Sequence, residues 1–308
     1  MNSLLTFKNF IFDIKSKIEC LDPSIFSHNI VENCAINQNT VSIVMTSSNR
    51  SKQIYFTLTS MIKNNCKDIQ VIIVDDSSND TVDLNILKTY PFYIDFIQIK
   101  RENKTWHNPL VNYNLGFKFV KGSKVIIQNA EVCHIGNVID FVNTETLDDK
   151  YYTFDVRPSL NFDTNEEIYK SDITGVNIFN KKELYGDLWY QSSCHNRNLH
   201  FLTAMTRNTF DNIGGFSYDY TMGTDYDDND FLLKILSKGI ATVNIFHTEF
   251  NMGGIHLYHS NSYQTWDNGR ERNDNLFNNK KRIYDKINSY IDVTKCVDFF
   301  DAEYKKLL

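Results

Sequence analysis

Two clusters of aspartate carry the most concentrated chemistry in this chain. Asp75 and Asp76 end an apolar stretch and lead into Ser77-Ser78-Asn79-Asp80, while Asp225, Asp227, Asp228 and Asp230 crowd together just ahead of Phe231. A helix N-cap needs a single such side chain, so the second cluster exceeds what capping explains. Its spacing also lacks the glycine and terminal glutamate of an EF-hand, which excludes that type of calcium loop. A third polar segment, Thr46-Ser-Ser-Asn-Arg50, again ends an apolar run, and Gly253-Gly-Ile-His256-Leu-Tyr-His259 brings two imidazoles late in the chain. Hydroxyls, backbone N–H groups and carboxylates gathered at one edge make a lining suited to a nucleotide.

Such residues need elements to position them. Between the first two polar loops, Ile54, Leu58, Met61 and Ile62 fall on one helical face. The order is therefore strand, loop, helix, strand, acidic loop. A crossover helix between parallel strands places both loops at the C-terminal edge of the sheet, where open α/β sheets bind ligands. Strands are expected at 41–45, 70–74, 94–99, 125–127 and 241–246, and helices near 51–64, 81–90 and 108–120. Phe231, Leu232, Ile235 and Leu236 make a further apolar helical face that stops at Gly239. Residues 150–205 read as irregular and aromatic, 260–280 as a polar mobile loop, and the end from 280 as helix. Phe7, Phe10, Ile11, Ile14 and Ile18 recur at helical spacing, so 1–38 reads as a helical extension, 39–260 as the main domain and 261–308 as a loop and helices packed on it.

Composition narrows the classes. The chain has 308 residues, 42% of them hydrophobic and 14% aromatic, which supports a large packed core. A net charge of -6 argues against a nucleic-acid binder, which presents a basic face. Six cysteines without a Cys-x-x-Cys pair read as reduced thiols, consistent with a cytoplasmic location. No apolar run reaches the ~20 residues of a membrane span. A dinucleotide-binding dehydrogenase is excluded, because Thr46 to Arg50 contains no glycine.

Met45-Thr-Ser-Ser-Asn49, Val74-Asp-Asp-Ser-Ser78, the stretch from Asn112-Tyr-Asn114-Leu-Gly116 to Lys121-Gly122, and Ile213-Gly-Gly-Phe216 followed by the second aspartate cluster together resemble a family 2 glycosyltransferase of the GT-A fold. The resemblance runs over residues 39–260. It implies an α/β domain with a mainly parallel central sheet flanked by helices. It also implies an inverting transfer of a sugar from a nucleotide-diphosphate donor, UDP-linked, to a hydroxyl on a glycan, protein or small molecule.

The resemblance assigns roles residue by residue. Thr46, Ser48 and Asp76 would line the nucleoside pocket, with Asp76 accepting from the base N3–H, and Arg50, Lys104 and His107 are candidates for phosphate. The family's metal-binding Asp-x-Asp falls on Asn129 and Glu131, so Mn²⁺ or Mg²⁺ would be held by one carboxylate and one amide, the amide also facing the donor. A late histidine returns to the metal in such enzymes. Residues three apart on a strand point to opposite faces, so only one of His256 and His259 should reach it, and His259 at the strand's exit is the expected ligand. Asp228 takes the place of the catalytic base, Asp227 replaces the neighbouring glutamate, and Asp230 should point elsewhere. Trp189, Tyr190, His195 and Arg197 would line donor and acceptor. The alternative is a nucleotide-sugar-binding protein that has lost catalysis, which the Asn129-x-Glu131 replacement encourages and the intact Asp227-Asp228 pair opposes.

Overall fold

A run with apolar residues at nearly every position suits a strand covered on both faces, and the runs that begin at residues 41 and 69 form the centre of the sheet. The structure, a computed structural model, describes residues 23–37, 39–64, 66, 68–104, 106–185, 189–190, 199–260 and 269–288. Its strands are β1 (Phe26–Glu32), β2 (Val41–Ser47), β3 (Ile69–Asp75), β4 (Tyr93–Ile99), β5 (Lys124–Asn129), β6 (Val132–Ile135), β7 (Lys150–Phe154), β8 (Val156–Pro158), β9 (Leu202–Thr206), β10 (Ala241–Ile245) and β11 (Gly253–His256). Its helices are α1 (Ser51–Lys63), α2 (Leu84–Leu87), α3 (Leu110–Phe117), α4 (Val138–Glu145), α5 (Phe162–Lys170), α6 (Arg207–Ile213), α7 (Asp227–Ser237), α8 (His247–Phe250) and α9 (Arg270–Asn288).

The main sheet has the order β1-β4-β3-β2-β5-β9-β7-β10. Its central strands β4, β3, β2 and β5 are mutually parallel. Side chains alternate across β2: Ile43 and Met45 pack with Ile54, Leu58 and Met61 of α1, while Val44 packs on the other face with Leu110 and Leu115 of α3. Gly116 lets α3 lie close, since a Cβ there would come within 2.8 Å of Val44 Cγ1 and 3.1 Å of Val74 Cγ2. After β5 only Ala130 and Glu131 intervene before β6 joins a second sheet, of order β6-β11-β8. Glu131 therefore stands where the two sheets meet. Among the described residues no helix is long and apolar enough to cross a membrane, and the described cysteines Cys34, Cys66 and Cys133 are free thiols.

Several expectations change. Ile62, placed by periodicity on the buried face of α1, is 40% exposed. Within the expected helical extension, 26–32 form strand β1, which pairs antiparallel with β4 at the sheet edge; the apolar periodicity at residues 7–18 lies outside the described residues. Within the stretch 150–205, expected to be irregular, the described residues form β7, β8 and α5 over 150–170 and enter β9 at 202. Strands of three to five residues buried on both faces leave too short a pattern to read. Helix α9 begins at Arg270 rather than near 280. Among its described side chains, Asn273, Leu276, Phe277 and Lys280 meet the body of the protein, and Arg270 and Arg272 reach Asp225 and the Asp219 carbonyl. Residues 261–268 of the expected loop lie outside the described residues.

Candidate active site

The loops after β2, β3 and β5 open on one cleft of about 470 Å³ at the C-terminal edge of the parallel strands. Thr46, Ser48, Arg50, Asp76, Asn129, Glu131, Asp227 and Asp228 all line it. The sequence-expected residues thus converge, and His259 joins them through Glu131.

At one end the loops after β2 and β3 are latched together. Asn49 donates its N–H to Ser78 Oγ at 2.8 Å and accepts the N–H groups of Asn79 and Asp80 on Oδ1 at 2.8 and 3.1 Å. Asn49 and Ser77 sit at φ 56° and 60°, the left-handed region that turns each loop sharply. Asp75 is fully buried and accepts the Ser78 N–H at 2.9 Å, and burial pushes its carboxyl above the usual range. It shapes the loop, whereas Asp76 faces the cleft. The Asp76 N–H donates to the Ser47 carbonyl at 2.7 Å. Its Oδ2 accepts from Lys104 Nζ at 2.6 Å, and its Oδ1 is buried without a partner. Lys104, a candidate for phosphate, lines the cleft as the partner of Asp76. His107 lines the cleft and ties back through its N–H to the Thr221 carbonyl.

In the centre, Glu131 Oε1 lies 3.3 Å from His256 Nε2 and 3.1 Å from His259 Nε2. One ligand atom from each of the three residues falls within 4.8 Å of the others. This corrects the expectation that only one histidine would arrive. The strand ends at His256, so alternation stops there and the turned segment 257–259 swings the second ring back. Register holds the first ring: His256 pairs with Val132, and the Leu257 N–H donates to the Glu131 carbonyl at 2.9 Å. Burial pushes the Glu131 carboxyl up, but hydrogen bonds and charge from both histidines outweigh it and hold the group below the usual carboxylate range. Arg50 completes the group, with Nη2 2.7 Å from His259 Nδ1 and Nε 4.0 Å from Glu131 Oε1. Asn129 ends β5 with its side-chain oxygen 3.4 Å from the Tyr113 hydroxyl.

At the far end, α7 begins under two left-handed residues, Asp225 at φ 62° and Tyr226 at φ 69°. Asp227 is buried and accepts from Asn108 Nδ2 at 3.1 Å. Burial raises its carboxyl, the charge of Asp228 adds to the rise, and His200 and Asn108 oppose it. Burial likewise lowers the His200 imidazole, against the pull of Asp227. Asp228 is half-buried and accepts the Asn229 N–H at 2.8 Å. Asp230 turns into the protein and accepts from Tyr220 Oη at 3.2 Å and Lys280 Nζ at 3.1 Å. The wall ahead of α7 is held from α9: Asn273, fully buried, lies within reach of the carbonyls of Tyr220, Thr224 and Asp225, and the backbones of Gly223 and Gly269 touch.

Trp189 is drawn away from the cleft, stacked on His247 at 4.6 Å and set against Phe179. Tyr190 remains beside the centre, edge-on to His256 at 4.9 Å. His195 and Arg197 lie outside the described residues. His200 and Asn108 were not legible, being single polar residues in loops without a pattern, and the pairing of Lys104 with Asp76 arises only in the fold.

Residues 42–140 match the family described as Glycosyl transferase family 2. The chain is 29% identical over 114 residues to poly(ribitol-phosphate) beta-N-acetylglucosaminyltransferase TarP of Staphylococcus aureus (strain N315), a match that covers 36% of this chain and 32% of the relative. It therefore spans about a third of that relative's length. Among solved structures, S. aureus TarS 1-349 in complex with UDP-GlcNAc superposes with a TM-score of 0.53 at 14% identity, covering 83% of this chain and 69% of that one. The same protein in complex with UDP gives 0.54 at 13% identity, covering 86% and 72%. The strand order, the cleft at the parallel edge and these superpositions show the GT-A fold, and residues 42–140 within it match family 2 of the glycosyltransferases.

Proposed function

We propose that this chain is an inverting, metal-assisted glycosyltransferase that takes a sugar from a UDP-linked donor to a hydroxyl acceptor. The carrying observation is that one cleft is lined by Asp76, by Glu131 of a Glu/His/His cluster and by Asp228 at a helix start. The names of the relatives support the donor: TarP is an N-acetylglucosaminyltransferase, and TarS was solved with UDP and UDP-GlcNAc.

The chemistry of each residue follows from its place. Asp76 accepts an N–H from the base, and Lys104 beside it donates to a neighbouring carbonyl. That pair fits bases with an N–H next to a carbonyl, such as uracil, and turns away cytosine, which presents a lone pair to the carboxylate. Thr46 and Ser48 line the same end. Asp228 takes the acceptor hydroxyl proton as that oxygen attacks the anomeric carbon, and the bond from that carbon to the diphosphate oxygen breaks. Asp227 and Asn108 hold the start of α7 in place. One carboxylate and two imidazoles fit a transition ion such as Mn²⁺ better than Mg²⁺, which favours all-oxygen sites. Glu131, His256 and His259 would hold it, with Asn129 adjoining, and the ion would neutralise charge on the leaving diphosphate.

The test is calorimetric titration with UDP, GDP, CDP and ADP, each with Mn²⁺, with Mg²⁺ and with chelator, followed by transfer and hydrolysis assays with UDP-sugars. UDP binding that Mn²⁺ strengthens, together with turnover that chelator abolishes, is the expected result. Binding of CDP in preference to UDP, or full activity in chelator, would refute the assignment of base or metal respectively.

A further inference from the structure

Building on that metal reading, we propose that Arg50 is the resident cation of the Glu131–His259 pair and gives up this place when a metal ion binds, so that loading the site turns the guanidinium toward the donor's diphosphate. The observation lies at His259. Its Nδ1 is 2.7 Å from Arg50 Nη2. A guanidinium has only donors, so Nδ1 must offer its lone pair and the ring proton must sit on Nε2. Nε2 is the atom 3.1 Å from Glu131 Oε1, so that proton already has its acceptor.

Ligation of a metal through Nε2 needs the lone pair of that nitrogen. The ring proton then moves to Nδ1, where it would point at the N–H of Arg50, donor against donor. A partner for this second arrangement is already in place, because the Ser260 carbonyl oxygen lies 3.3 Å from Nδ1. Ligating histidines commonly donate their other N–H to such an oxygen. One nitrogen cannot serve Arg50 and Ser260 at once, and the 2.7 Å contact prevails while Arg50 is there. Charge points the same way. Arg50 Nε is 4.0 Å from Glu131 Oε1, and a second cation on that carboxylate would repel the first. Arg50 Nη1 is also held by the carbonyls of Ser48 and Asn49 at 2.8 and 3.1 Å. Release from His259 therefore keeps the side chain in the cleft wall.

Mn²⁺ binding should be measured by the electron paramagnetic resonance of the free ion for wild type, Arg50→Ala and Arg50→Gln, each with and without UDP. Without nucleotide, both variants are expected to bind Mn²⁺ about tenfold tighter than wild type, and UDP should tighten wild type more than either variant. Equal or weaker Mn²⁺ binding by both variants, with wild-type binding intact, overturns the exchange and leaves the metal reading standing. No Mn²⁺ binding by wild type, with or without UDP, removes the metal reading and this proposal with it. Long-range ¹H–¹⁵N spectra with diamagnetic Zn²⁺ give a second readout: the His259 proton should move from Nε2 to Nδ1 on loading. A wild-type protein with Nδ1 protonated before any metal is added would also overturn the proposal.

Discussion

Asp227, Asp228 and Asp230 stand within one turn of each other and do three different things, and the difference is made by what each carboxylate meets. Asp230 is tied to Tyr220 and Lys280, Asp227 to Asn108, and only Asp228 stands half-exposed at the cleft. Asp228→Asn keeps the shape and removes the basicity, so turnover should fall by about 10²–10⁴-fold. Donor affinity should hardly change, and measuring rate and donor Kd together checks the split. An Asp228→Asn enzyme of near wild-type rate would move the base to another residue. Asp76→Ala removes a charge-assisted contact and should weaken UDP by about 1–3 kcal/mol, read by calorimetry on a folded variant. His256 merits the same treatment as His259. If both rings ligate, His256→Ala should weaken Mn²⁺ as much as His259→Ala does, whereas a single-ligand centre would respond to only one of them.

At the scale of elements, helix α3 depends on the absence of a side chain at Gly116. Gly116→Ala would force the helix off Val44 and Val74 and should cost about 1–3 kcal/mol in denaturant unfolding. Helix α7 carries a buried lysine, Lys234, whose Nζ donates to the Gly215 carbonyl at 2.9 Å. Burial pushes its amine down from 10.5 to about 8. Between those values the unfolded chain binds more protons than the fold does, so this residue adds stability as pH rises from 8 toward 10.5. At 1.36 kcal/mol per unit the full gain is about 3 kcal/mol. Comparing wild type with Lys234→Met at pH 8, 9 and 10 isolates it, and identical slopes would show that the lysine is not desolvated.

The same scale explains what was legible in the chain. β2, α1 and β3 could be read because a continuous apolar run and a 3.6-residue period are long-range signals, and their loops carried the clustered polar residues. The roles expected of Thr46, Asp76, Glu131 and Asp228 came from the motifs that resemble family 2, not from that periodicity. β7, β8 and β9 could not be read, since strands of this length have no period to count. His256 was visible but discarded, because alternation was applied beyond the residue where the strand ends. Asn108 and His200 reach the site only through folding, and nothing local marks them.

For the whole molecule, α9 is fastened to α7 by charge as much as by contact. Lys280 reaches both Asp219 and the buried Asp230. Lys280→Met leaves Asp230 without its cation and should cost about 3 kcal/mol, more than the double variant Lys280→Met with Asp230→Asn, which removes both charges. Thermal or denaturant unfolding of the two variants decides it, and a single variant as stable as the double would show that the pair contributes nothing.

Asn273 sets an order of events during synthesis. Its amide holds the carbonyl of Asp225 across a separation of 48 residues. Strands β2 to β5 and their loops are complete well before that residue leaves the ribosome, and amino-terminal parts of a chain begin to fold as they emerge. The end of the cleft that carries Asp76 thus emerges first, while the wall ahead of Asp228 waits for its brace from α9. A nascent chain halted before residue 269 would carry the parallel sheet edge with the Asp225 carbonyl unbraced from α9.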